Sequence, residues 1–208
     1  MNIIIKSRRR NLARLPELWQ EATIIDVTSR GNEPWVRFSP FYPHGGIPIP
    51  NTPGEMAQSV EGLWQGLKVF EQEDIDPSKW AITDMAHIKR GGKSRGAVRG
   101  HRFGVGSDLL LDERHARWLI YLPAYRWVLE NRLTVEVEQL RQLAAHQPIV
   151  LLDYETNMDV DDLSRPLSHA ALVIYYLQGS WPTPKATEAA SDPAAGPSAG
   201  KGVSKRAP

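Results

Sequence analysis

Hydrophobic positions recur with two different periods along this chain, and the two periods separate strands from helices. Short β-branched runs predict strands at 3–6, where Ile3, Ile4 and Ile5 are adjacent, and at 22–28, through Thr23, Ile24, Ile25, Val27 and Thr28. Ile149-Val150-Leu151-Leu152-Asp153 predicts a buried strand, and Trp35 to Phe38 a brief one. Helical spacing predicts a segment over 59–71: Ser59 can cap it, and Val60, Leu63, Trp64, Leu67 and Phe70 form an apolar stripe. Glu61, Gln65 and Lys68 fall together on another face, which reads either as solvated or as functional. Ser7 can start a helix through Arg8-Arg9-Arg10 to about Trp19, with Leu12, Leu15 and Leu18 or Trp19 on one side; Pro16 weakens it. Asp76-Pro77-Ser78-Lys79 predicts a short helical turn. A long helix is expected over 109–131, with Ile120, Tyr121, Tyr125, Val128 and Leu129 inward and a kink or break at Pro123. Thr134 is expected to cap the next, to about Ala145, with Val135, Val137, Leu140 and Leu143 inward; the last runs over 166–177 on Leu167, Ala170, Ala171, Ile174 and Leu177.

Composition narrows the function classes. A net charge of +1 provides no bulk field to recruit nucleic acid or membrane, so anion binding must come from a local cluster. The absence of cysteine excludes disulfides and thiolate metal sites. No apolar run is long enough to cross a bilayer, and the start does not resemble a signal peptide, so a cytoplasmic protein is expected. From Ser180 the sequence collapses to Pro, Ala, Gly, Ser and Lys, which predicts a disordered tail over 180–208.

Three polar segments offer chemistry. Residues 89–104 are basic and glycine-rich. Gly92-Lys93-Ser94 matches the end of a phosphate loop, but the glycine required earlier is His87. Arg90, Lys93, Arg95, Arg99 and Arg102 still suit a phosphate or pyrophosphate, unless the loop is simply exposed. The six histidines show no paired ligand spacing, so neither metal nor cofactor is expected, and Ser168-His169 lacks a nucleophile elbow. Asp153, Glu155, Asp159, Asp161 and Asp162 follow the buried strand without the glycine and terminal glutamate of a calcium loop. With Glu61 they can supply the two carboxylates that glycosidic chemistry needs.

Two of these stretches carry a resemblance. Arg37-Phe38-Ser39-Pro40-Phe41-Tyr42-Pro43, then Ser59-Val60-Glu61-Gly62-Leu63-Trp64-Gln65-Gly66-Leu67-Lys68, resembles the signature of the NADAR (YbiA-like) N-glycosidase superfamily, and especially an uncharacterised bacterial subgroup with an N-terminal extension. The resemblance implies an α-rich α+β fold: a NADAR-like helical domain with a few short strands over 35–179, with 1–34 as a strand-helix-strand extension packed on it. It implies hydrolysis of a ribose N-glycosidic bond in a small phosphorylated or ADP-ribosylated nucleotide-like substrate. Nucleic acid would enter only as the carrier of a modified base. Glu61 aligns with the catalytic glutamate; one of Asp159, Asp161 and Asp162 would assist. Phe38, Tyr42 and Trp64 would wall the pocket, Arg99 and Arg102 would grip phosphate, and Gln65, Lys68 and Asp153 would contact substrate. Pro40 and Gly62 stand where the family has asparagine and histidine, which keeps a non-catalytic ADP-ribose- or NAD-binding sensor as the alternative.

Overall fold

The computed structural model describes residues 2–10 and 21–184. Its central strand is the one the sequence marks most strongly. β8 (Ile149–Asp153) is buried at every position and runs parallel between β1 (Ile3–Ser7) and β2 (Thr23–Asp26). A strand flanked and covered on both faces has no use for alternating polarity, which is why its pattern is continuous. The first residues of the chain therefore build both outer strands of this sheet. The expected helix from Ser7 does not begin there: Ser7 ends β1, residues 8–10 turn, and 11–20, with Leu12, Leu15, Pro16, Leu18 and Trp19, lie outside the described residues. So do 185–208 of the expected tail, whereas Trp181 packs edge-on against Tyr176 at 6.3 Å.

α1 (Val60–Leu67) starts as expected, with the Ser59 hydroxyl accepting from Gly62 N at 3.0 Å. It stops four residues early. Beyond the small antiparallel pair β3 (Ile47–Pro48) and β4 (Met56–Ala57), Lys68–Phe70 becomes β5, antiparallel to β6 (Val98–Arg102), which pairs with β7 (Leu110–Leu111). The buried Arg90 guanidinium takes the Gln65 and Lys68 carbonyls at this helix end, at 3.0 and 2.6 Å, so further helical bonds there are not needed. Gly62 and Gly66 lie one turn apart and admit the 3-10 turn Pro77–Ala81. A Cβ on Gly62 would stand 2.6 Å from the Lys79 carbonyl, and one on Gly66 2.0 Å from the Trp80 indole nitrogen.

Other expectations are corrected in detail. Trp35–Phe38 is a 3-10 helix rather than a strand, because Val36 N and Arg37 N continue the turn by bonding Asn32 O and Pro34 O. The long helix divides into β7, α2 (Glu113–Ala116), a π-helical turn Arg117–Tyr121 and α3 (Leu122–Asn131). Pro123 lacks the N–H an α ladder requires, and the chain widens to a π turn just before it instead of breaking. α4 (Thr134–His146) has Leu133 at its N-cap, so Thr134 is not the cap. Val135 is 63% exposed while Val137 and Leu140 are buried, since residues two apart on a helix face opposite ways. α5 (His169–Leu177) starts late because Ser168 caps it from Ala171 N, while Leu167 bridges Asn157. The whole is a mixed α+β fold in which α1, α3 and α5 share one core with the sheet of β1, β8 and β2.

Candidate active site

The C-terminal end of β8, the first turns of α1 and α5, and the π-helical turn surround a cleft of about 910 Å³. That volume is in the range of small-ligand sites. Glu61 lines it from the first turn of α1 and is only 9% exposed. Its backbone N–H donates to Pro40 O at 2.8 Å, and its Oε1 accepts from Gln65 Nε2 at 2.9 Å. Burial raises the Glu61 pKa above the usual carboxylate range, against the Gln65 bond and the positive charges of Lys89, Lys68 and His169. Gln65 Oε1 in turn accepts from Arg90 N at 3.1 Å. Trp64 forms an aromatic wall, its ring tilted against the buried His101 at 3.8 Å and edge-on to Tyr121 at 5.6 Å. Burial and the neighbouring Lys68 push His101 down to about 3, so it is neutral.

Asp153 closes the other side. Its Oδ1 accepts from Tyr154 N at 2.6 Å, and its Oδ2 from Ser168 Oγ at 2.7 Å, Ala170 N at 3.3 Å and His169 Nδ1 at 3.0 Å. His169 Nε2 faces Val27 O at 2.9 Å. Neither a carbonyl nor an ionised carboxylate can donate, so both ring nitrogens carry protons and His169 is an imidazolium. Burial works against each charge, but the pairing prevails: the His169 pKa is raised and the Asp153 pKa lowered.

The other proposed residues divide. Trp64, Gln65, Lys68 and Asp153 line the cleft with Glu61. Phe38 does not: the 3-10 turn buries it fully, and Tyr125 Oη bonds its carbonyl at 2.6 Å. Tyr42 turns away to donate to Glu33 at 3.1 Å, and Phe41 lines the cleft in its place, with Lys89 over its ring at 5.4 Å. Arg99 and Arg102 lie outside the cleft on β6, directed at Glu71 and Asp74 at 3.9 and 2.8 Å. Asp159, Asp161 and Asp162 also lie outside it. Asp159 and Asp162 fold back onto backbone N–H groups two residues on, those of Asp161 and Ser164. Asp161 accepts from Arg114 and Trp118, both at 2.9 Å. The loop's carbonyls at Val160, Asp162 and Arg165 receive the Arg117 guanidinium, so a cation already fills it.

The cleft has its own cations. Arg90 and Arg117 are bonded to backbone carbonyls, Arg165 pairs with Asp162, and Arg9 lies 3.8 Å from Glu155. Arg30, Lys68 and Lys89 have no carboxylate within ion-pair distance among the described residues and suit an anionic ligand. Burial lowers the Lys68 pKa, with Glu61 opposing. Sequence reasoning missed Phe41, Lys89, Arg30, Tyr121 and His169. The usable signal was Asp153, since an acid ending a buried strand faces the cleft at that edge and recruits what lies across it. No group of three or more metal-ligating side chains occurs among the described residues.

Residues 7–173 match a family of unknown function (DUF6939), and the chain belongs to it. No curated protein and no solved structure matches the chain.

Proposed function

We propose that the chain is a NADAR-like N-glycosidase, hydrolysing a ribose N-glycosidic bond in a phosphorylated or ADP-ribosylated nucleotide-like substrate in the cytoplasm. The observation that carries this is Glu61: a buried carboxyl with a raised pKa, lining a cleft with an aromatic wall and with cations that have no carboxylate partner among the described residues. A carboxyl that keeps its proton can act as a general acid. The bond from C1 to the base nitrogen breaks with its electron pair on nitrogen, which takes the Glu61 proton. Water then adds to the oxocarbenium carbon and returns a proton to Glu61. Asp153 accepts from four donors and is held as an ion, so in this scheme it organises the cleft floor while Glu61 acts twice. Trp64 and Phe41 stack the base, and Lys89, Lys68 and Arg30 hold phosphate, roles that Phe38, Tyr42, Arg99 and Arg102 cannot fill from outside the cleft.

Incubation with phosphorylated ribosylamines and ADP-ribosylated nucleobases, followed by mass spectrometry, tests the reading. Base release is expected, and Glu61→Gln is expected to reduce it by roughly 10²–10⁴-fold with the fold intact. Undiminished release by that variant overturns the assignment. The second reading, a sensor for ADP-ribose or NAD, is supported by Gly62: the Lys79 carbonyl excludes any side chain beside Glu61. Calorimetric binding of ADP-ribose without product would favour it.

A further inference from the structure

Glu61 has one side-chain hydrogen-bond partner among the described residues, the Gln65 amide, and that amide is itself oriented. A main-chain N–H can only donate. The bond from Arg90 N therefore fixes the amide oxygen toward Arg90 and turns the NH₂ toward Glu61. The Arg90 main chain is in turn held by its own buried guanidinium, which donates to the carbonyls of Gln65, Lys68 and Asp74 at 3.0, 2.6 and 2.7 Å. Gln65 is 5% exposed.

We infer that Gln65 is a positioning residue for Glu61 rather than a substrate contact: its amide, polarised by the Arg90 N–H, holds Oε1 and leaves Oε2 to carry the proton. An N–H and an O–H cannot both point along the same contact, so an acid proton sits on the oxygen the amide does not touch. This deepens the glycosidase reading and rests on it for its role in catalysis, but the geometry of the carboxyl can be tested without turnover. The other titratable groups acting on Glu61 are Lys68 from the helix end, Lys89 from the loop, His169 from α5 and Tyr121 from the π-helical turn.

Gln65→Met keeps the length and apolar stem and removes the donor. Carboxyl ¹³C titration by NMR, with the Glu61 signal assigned by its loss in Glu61→Gln, gives the readout. An amide bond to the ionised carboxylate favours that form, so the Glu61 midpoint is expected to rise in Gln65→Met, by about one pH unit or tenfold in proton affinity. The basic limb of any kcat/KM profile should move with it. An unmoved midpoint in a folded variant overturns the inference, even with hydrolysis present. A moved midpoint with no hydrolysis by the unaltered chain retains the inference and removes the glycosidase reading. If Gln65→Met does not fold, Gln65→Glu serves: it keeps an acceptor for Arg90 N and sets two carboxyls face to face, which must then titrate as a coupled pair. Independent titration of the two would overturn the inference.

Discussion

Two buried carboxyls face the same cleft and have opposite fates. Asp153, at the end of β8, accepts from two backbone N–H groups, a hydroxyl and an imidazolium, and its pKa falls. Glu61, in the first turn of α1, has one amide among the described residues, and its pKa rises. Burial opposes the charge at both. What separates them is the number of donors aimed at the oxygens, so the partner list distinguishes a structural ion from an available acid.

The largest expected effect is on the ion. Asp153→Asn leaves the His169 imidazolium buried without its counter-charge and should destabilise the chain by about 3–5 kcal/mol, read as a lower urea midpoint. A loss near zero would make the two carboxyls equivalent. The pH dependence sharpens the contrast. A depressed aspartate contributes stability above its unfolded value of 3.8, and that stability is lost as pH falls through the folded value. A raised histidine contributes fully below 6.5, and that contribution is lost as pH rises through its folded value. The pair is therefore fully stabilising between about pH 4 and 6.5, and urea midpoints should decline on both sides, less so in Asp153→Asn. The smallest effect concerns the acid. A carboxyl whose folded pKa is raised costs stability above its unfolded value of 4.5, so Glu61→Gln should raise stability at neutral pH, by about 1 kcal/mol. Thermal melts at pH 7 and pH 4 check this, since the gain should vanish at the lower pH.

What the sequence revealed follows the same local-versus-distant division. Ser59 and the apolar run of β8 act over a few residues, and both are where periodicity places them. The Glu61–Gln65 pair is one helical turn apart and equally legible. Phe38 and Phe41 are alike as letters, and only the 3-10 turn before Ser39 decides that one enters the core and the other the cleft. Arg102 and Lys89 are both cations in one basic stretch, but pairing of β6 with β5 directs Arg102 to Asp74. The charge of His169 depends on Val27 as well as Asp153, and Val27 is 142 residues away in sequence. Asp159 and Asp162 misled because their partners are so close: backbone N–H groups two residues on satisfy them before any cleft can.

The glycine face of α1 bears on how the protein would fail on heating. An eight-residue helix with two glycines is too short and too flexible to persist alone. The helix that carries Glu61 is seated by the Lys79 carbonyl and the Trp80 ring against Gly62 and Gly66. Release of the Pro77–Ala81 turn would therefore dissolve the proposed catalytic geometry while β1, β8 and β2 stayed paired, and loss of the cleft would run ahead of global melting.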